Sequence, residues 1–262
     1  MSIPGSGSPL LLATTAAAAA AEYVIPKSLR FNHSDSSSLS KTFSSTGNRR
    51  IWTWSAWVKR SGNNNGGLFG NYYSDDSFGT LFFNGDQLQF SANTTWFKTT
   101  QVFRDFSSFF HIVLAVDTTL ATAGDRVRLY INGSEVTDFA TENNPSQNAN
   151  LGPDNSAETR IGRDGSNYFN GLLADIQFVD GQQLAPTEFG ETRSSDGVWV
   201  PKEYTGFGTN PNDGTTWSDG VTFSGSIIAA ATNAFDVNPG TSAAPYDGAN
   251  GGGTPQWVQV TF

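Results

Sequence analysis

Apolar positions between residues 29 and 200 recur mostly with a period of two, the repeat of strands that bury one face. Ile51–Lys59 (IWTWSAWVK) shows the pattern most clearly: Trp52, Trp54, Ala56 and Val58 share one face, and Thr53, Ser55, Trp57 and Lys59 share the other. Phe109–Asp117 (FFHIVLAVD) groups Phe110, Ile112, Leu114 and Val116. In Arg126–Ile131 (RVRLYI), Val127, Leu129 and Ile131 point inward, while Arg126, Arg128 and Tyr130 point outward. Within Tyr168–Phe189, Leu172, Ala174, Ile176 and Phe178 alternate with Leu173, Asp175, Gln177 and Val179, and Thr187 follows Pro186 as the cap of one short helical turn. Turn signals separate these runs. Asn84-Gly85 lies between Leu81-Phe82-Phe83 and Leu88-Gln89-Phe90, and Asn132-Gly133 leads into Glu135-Val136; both predict hairpins. Leu29–Phe31, Thr159–Ile161 and Val198–Val200 supply further short strands, the last ended by Pro201. Such spacing predicts an all-β chain folded as an antiparallel β-sandwich or jelly roll.

Two flanks differ from this body. Residues 1–26 read as an N-terminal tail, with a flexible Pro-Gly-Ser-Gly start at Pro4–Gly7 and an alanine-rich stretch up to Glu22. The tail is expected to be extended or a short helix that orders against a partner, since a helix this short is marginal alone. Residues 27–200 form the sandwich. Residues 201–262 are rich in Gly, Asn, Asp and Thr, and end in an alternating stretch, Trp257–Phe262. That stretch either adds a strand to the sandwich or begins a second β-domain. The apolar run Leu10–Ala21 is shorter than the roughly 20 residues of a membrane span. Its first basic neighbour, Lys27, comes after it, against the order of a secretory signal.

Composition narrows the function classes. The 262 residues carry a net charge of −9, which argues against nucleic acid, whose phosphates need clustered Lys and Arg. With no cysteine there is no disulfide frame, thiolate metal site or Cys nucleophile. The two histidines, His33 and His111, lie on different segments and read as structural. No Gly-x-Ser-x-Gly elbow occurs. Gly66-Gly67 and Gly251–Gly253 lack the context of a phosphate loop.

Four pieces in order, TWSAWVKRS (53–61), FFHIVLAVD (109–117), RVRLYINGSEV (126–136) and FNGLLADIQFVDGQQLAPTEF (169–189), resemble the concanavalin A-like lectin/glucanase superfamily in its laminin-G-like branch. The resemblance covers about residues 27–200. One departure is Phe109-Phe110, where that branch usually has Trp. The Pro4–Gly7 leader, SLRFNHSDSSSLSKT (28–42) and the run from Val179 to Gly206 resemble laminin-G-like structural proteins of tailed bacteriophages, especially marine ones. That resemblance implies a location on the virion, in a fibre, decoration or adhesin element of capsid or tail. It also implies a tail that contacts other virion proteins and a homo-oligomer such as a trimer.

The chemistry fits display better than hydrolysis. Glucanases on such a fold use two carboxylates on one strand. Asp175 has Leu173, Gln177 and Val179 at the relevant positions, and Asp75-Asp76 are adjacent, so no catalytic residue and no enzyme activity is predicted. Laminin-G-like domains sometimes bind calcium through loop oxygens. Asp154, Asp164 and Asp180 sit in turns, but no EF-hand spacing occurs, so no cofactor or metal site is assigned. Glycan binding needs flat aromatic surfaces beside hydroxyl-binding polar groups. Tyr72, Tyr73, Asp75 and Asp76 form one such cluster, and Asn93 and Trp96 a second. The same residues read equally as packing over the sandwich rim. The function expected is therefore a non-enzymatic virion protein displaying a lectin-like sandwich toward host glycans. A secreted bacterial carbohydrate-binding module is the alternative, and a glycan hydrolase a further one.

Overall fold

The computed structural model describes residues 22–42, 46–71, 79–92, 94–153 and 158–206, with the backbones of two strands at 222–224 and 257–260. The strands in chain order are β1 (Leu29–Phe31), β2 (Ser38–Lys41), β3 (Ile51–Arg60), β4 (Gly66–Asn71), β5 (Thr80–Asn84), β6 (Gln87–Ala92) and β7 (Thr94–Val102). Then follow β8 (Phe110–Asp117), β9 (Val127–Ile131), β10 (Ser134–Glu135), β11 (Phe139–Glu142), β12 (Thr159–Ile161), β13 (Arg163–Asp164) and β14 (Asn167–Tyr168). The last are β15 (Gly171–Asp180), β16 (Gly190–Thr192), β17 (Trp199–Pro201), β18 (Thr222–Ser224) and β19 (Trp257–Val260). Pairing is antiparallel throughout the two main sheets. The seven-stranded sheet runs β1-β15-β3-β8-β9-β10, with β19 also on β15; the eight-stranded sheet runs β11-β7-β6-β5-β4-β12-β2-β18. The fold is the all-β sandwich that the alternating pattern predicts.

The core lies between the sheets. Trp52, Trp54, Ala56 and Val58 of β3 enter it with Ile112, Leu114 and Val116 of β8 and Val127, Leu129 and Ile131 of β9, as the alternation requires. Leu81, Phe83, Leu88, Phe90 and Phe97 come from the other sheet. Trp54 stacks on Phe69 at 5.8 Å, and Trp52 meets Phe90 edge-on at 6.2 Å, arrangements that add to plain burial. The Asn132-Gly133 hairpin forms as predicted: both residues take positive φ (48° and 77°), as a type I′ turn demands, and Ser134 pairs with Ile131. The other hairpin is shifted by one residue. Asn84 pairs with Gln87, so the two-residue loop is Gly85-Asp86, with Gly85 at φ 62°.

The structure adds to or departs from the alternating pattern at three places. First, the second face of β3 is covered as well as the first. Thr53, Ser55 and Trp57 are buried because residues 182–206 fold back over the outer side of this sheet. Thr53 Oγ1 donates to Gln182 O (2.8 Å) and accepts from Leu184 N (2.8 Å), while Val113, Val179, Phe189 and Tyr204 make a second small core there. Second, β15 does not hold one alternation. Leu173 points into the core, but so do Ile176 and Phe178. Between Ala174 and Gln177 the register slips, and Asp175 and Ile176 together oppose Ala56; Asp175 takes φ 46° at this bulge. Third, Arg126 is buried rather than outward. Its guanidinium donates to Leu120 O (2.8 Å), Ala121 O (2.9 Å) and Pro145 O (2.7 Å).

At one end of the sandwich Arg60 ties three loops together. Only 1% of it is exposed. It donates to Phe103 O (2.6 Å), Gly85 O (2.8 Å) and Asn64 O (3.5 Å), and its guanidinium covers the Phe83 ring at 4.3 Å. Asp86, 3.9 Å from Arg60, also accepts from Arg104 Nε at 2.6 Å.

Candidate functional site

Two polar surfaces invite chemistry, one on the outer side of each sheet. On the seven-stranded sheet, Ser55 Oγ and His111 Nε2 are 2.8 Å apart, a contact that suggests a nucleophile with its base. The rest of the network argues against that role. Trp199 Nε1–H donates to His111 Nδ1 at 3.1 Å, so in the neutral ring the proton sits on Nε2 and His111 donates to Ser55. A base would need that nitrogen as an acceptor. Burial pushes the imidazole down to about 3, so it stays neutral. His111 is also clamped between Trp57 (5.0 Å, 18°) and Trp199 (6.0 Å, 22°). The Trp199 ring fits because Gly133 and Gly190 lack side chains; a Cβ at either would lie 2.5 or 2.6 Å from it. This is a sealed structural network, as a lone histidine on a strand suggests.

Asp175 belongs to the same side. Its carboxyl accepts from Gln177 Nε2 at 2.8 Å. Burial pushes it up to about 6, against the pull of Gln177 and with the help of the nearby Glu203 charge. The acidic neighbour absent along the strand is thus supplied through space, by a residue the fold returns from 28 positions downstream. Local spacing carries no signal for it.

The outer side of the eight-stranded sheet is different. Pairing sets Phe82, Gln89, Lys98 and Thr141 in one cross-strand row. A parallel row runs through Ser40, Arg160, Gly70, Thr80 and Ser91. Asn84 Nδ2 donates to Gln89 Oε1 at 3.2 Å. Along one side the β13–β14 hairpin folds over Gly67, where a Cβ would lie 2.2 Å from the Arg163 backbone. In that hairpin Arg163 lies 5.0 Å over the Tyr168 ring and donates to Gly165 O at 2.5 Å. Arg160 donates to Glu158 at 2.9 Å, and burial pushes the Asp164 carboxyl up. Half-buried Phe82 shares this side with the partly exposed Lys98 and Arg160, while Gln89 and Thr80 are buried (7% and 8% exposed), so what reaches solvent is an apolar ring together with an ammonium and a guanidinium, groups of the kind sugars bind.

Tyr72, Tyr73, Asp75, Asp76 and Asn93 lie outside the described residues, and for Trp96 only the backbone, within β7, is described. The strand ends that flank them are described. Gly70 pairs with Thr80, Thr80 with Ser91, and Ser91 with Thr95. Thr159 of β12 pairs with Asn71. The chain therefore leaves and re-enters the sheet for both predicted clusters at one end of the same sheet. Sequence spacing kept the two apart; strand order makes their flanks neighbours. Of the calcium candidates, Asp154 is outside the described residues. Asp180 accepts from Asn48 N at 2.7 Å beneath Gly47, and Asp164 sits in the β13–β14 hairpin. Among the described residues no three His, Asp or Glu side chains are grouped to hold a metal ion.

Comparisons with known proteins follow the same lines. The family model described as Laminin_G_3, concanavalin A-like lectin/glucanases superfamily, matches residues 32–188. No curated protein matches the chain. Among solved structures, a putative carbohydrate-binding protein from Bacteroides ovatus is 15% identical with a TM-score of 0.44, over 77% of this chain and 61% of that one. Domain 4 of AbnA, a GH43 extracellular arabinanase from Geobacillus stearothermophilus, solved with arabinotriose, is 19% identical with a TM-score of 0.40, over 56% of this chain and 66% of that one. A heptameric SAP-like pentraxin from Limulus polyphemus is 15% identical with a TM-score of 0.39, over 58% and 74%. At these identities and scores they add nothing to the family match.

Proposed function

The chain belongs to the concanavalin A-like lectin/glucanases superfamily, and from that premise we propose that it is a non-enzymatic display protein of a phage virion that binds host-surface glycans. The observation that carries the glycan reading is the arrangement of the eight-stranded sheet. Its outer side carries the partly exposed Phe82, Lys98 and Arg160, and the strand ends flanking Tyr72–Asp76 and Asn93 meet at one end of it. On the opposite sheet, residues 182–206 cover the polar outer face at Thr53, Ser55 and Trp57. The fixed tautomer of His111 and the 4% exposure of Asp175 favour architecture over catalysis on that side. The virion setting draws on the resemblance of the leader and of residues 179–206 to tailed-phage proteins.

A glycan array probed with the intact chain tests the binding reading. Trp96→Ala or Tyr73→Ala should weaken the strongest hit about tenfold, the usual scale for removing an aromatic anchor. Unchanged binding in both variants would remove these residues as contacts. Attachment is tested separately. Glu22 accepts from Arg193 at 2.9 Å, and this ion pair is kept when residues 2–21 are deleted. That truncation is expected to fold and bind glycan but to be missing from purified particles. Normal incorporation would refute a tethering role for the tail.

A further inference from the structure

We propose that an open groove at one edge of the sandwich is a second binding site, built for neutral sugars and separate from the surface on the eight-stranded sheet. The groove measures about 580 Å³, within the roughly 300–1,000 Å³ of ordinary ligand pockets. It lies where the chain crosses between the sheets, from β10 to β11, the outermost strands of the two sheets on this side. Thr100 and Gln101 of β7 line it from one sheet, Asn132 and Ser134 of the β9–β10 hairpin from the other, and Asp138 from the crossing itself. Buried Ile131 and half-buried Val136 supply apolar surface. The frame is held from both sides. Thr100 Oγ1 donates to Asp138 Oδ1 (2.9 Å) and Thr100 N to Asp138 O (3.4 Å), which fastens the crossing to β7. Asn132 Oδ1 accepts from His111 N (2.8 Å), and Val136 N donates to Leu129 O (2.8 Å). A groove so braced costs a ligand little in ordering the protein.

The groups in the groove suit hydroxyls. Thr100 gives its hydroxyl proton to Asp138 and offers lone pairs, and Asp138 has a second carboxylate oxygen that only accepts. The Asn132 side-chain oxygen is taken by His111, which leaves its amide hydrogens to donate. The amide of exposed Gln101 does both. A sugar ring, whose hydroxyls donate and accept around an apolar C–H face, matches this mixture. Charge narrows the class. Glu135 and Asp138 both line the groove, and among the described residues lining it there is no Lys or Arg. Neighbouring Arg128 is occupied by Asp125 (2.5 Å) and Glu135 (3.3 Å). Uronates, sialic acids and sulfated sugars would meet two carboxylates with no cation to spare, so the ligand is neutral. A basic peptide finds less here, since Glu135 already holds Arg128 and Asp138 alone is left to pair. Exposed Val102, beside Gln101, and exposed Phe109, two residues before His111, add apolar surface at this end. Distance separates the groove from the clusters at the other end of the sheet. Thr100 lies six residues along β7 from Thr94, which follows Asn93, or about 20 Å at roughly 3.3 Å per residue.

A glycan array probed with the full chain should include neutral glycans among its hits. Their signal should fall about tenfold in Asp138→Ala, and equally in Ser134→Trp, which fills the groove and leaves Asp138 in place. It should stay unchanged in Trp96→Ala, which reads the other surface. Glycans carrying carboxylate or sulfate should respond to neither groove variant. The absence of any neutral hit, a neutral signal that survives both groove variants, or a loss shared equally by Trp96→Ala would overturn the proposal. So would binding of a fluorescent oligolysine peptide in place of neutral glycans, lost in Asp138→Ala, which would assign the groove to basic peptides. Hits that ignore Trp96→Ala and Tyr73→Ala but fall in the groove variants would remove the surface on the eight-stranded sheet and leave the groove standing. Circular dichroism melting curves confirm that each variant is folded.

Discussion

Replacing Arg60 by Ala is expected to lower the free energy of unfolding by about 3–5 kcal/mol, the scale for removing one partner from a buried charged network. The loss has three parts. The carbonyls of Phe103, Gly85 and Asn64 lose their donor, Asp86 loses one of its two cations, and Phe83 loses the guanidinium that covers it at 4.3 Å. The three carbonyls belong to three separate loops, so no small shift of one can recruit a replacement for all. Arg60→Lys should recover little, because an ammonium cannot serve several carbonyls in the fixed fork of a guanidinium. In a body of this size such a loss lowers Tm by about 10 °C. Urea unfolding followed by tryptophan fluorescence checks it, and a loss below about 1 kcal/mol would show that the loops hold without Arg60.

What was legible in the sequence follows the distance over which each feature is decided. The faces of β3, β8 and β9 follow from period-two alternation, and the Asn132-Gly133 turn from two adjacent residues that tolerate positive φ. The Gly85-Asp86 turn was misplaced by one because its register depends on how Asn84 and Gln87 pair across it. The bulge at Asp175 was invisible: Leu172–Val179 alternates plausibly in one phase, and only the partner strand reveals that two residues oppose Ala56. The cover over the outer side of β3 had one local trace, the bulky Trp57 on a face otherwise carrying Thr, Ser and Lys. Its companions, His111 and Trp199, arrive from positions 54 and 142 residues away, which no local pattern connects. For the candidate glycan surface, sequence named the residue types at Tyr72–Asp76, Asn93 and Trp96, and the order β7-β6-β5-β4-β12 brings together the strand ends that flank them.

Asp175→Asn is expected to stabilise the protein at neutral pH, by up to about 3 kcal/mol, and to leave its stability in acid unchanged. The sign follows from the direction of the shift. Burial raises the carboxyl from its ordinary 3.8 to about 6 in the folded chain, so the unfolded chain releases this proton first as pH rises. Asp175 therefore costs the native state nothing below about pH 4, an increasing amount between 4 and 6, and a constant amount above. A shift of about two pH units at roughly 1.4 kcal/mol each sets the upper limit. Asn is the suitable probe because it keeps an oxygen for Gln177 Nε2 and accepts the left-handed backbone at φ 46° better than most residues. Urea midpoints at pH 4 and pH 7 should diverge for the parent chain and run closer together for the variant. An equal gain at both pH values would assign the effect to backbone preference instead of charge, and no gain at pH 7 would mean that burial does not disfavour the Asp175 carboxylate.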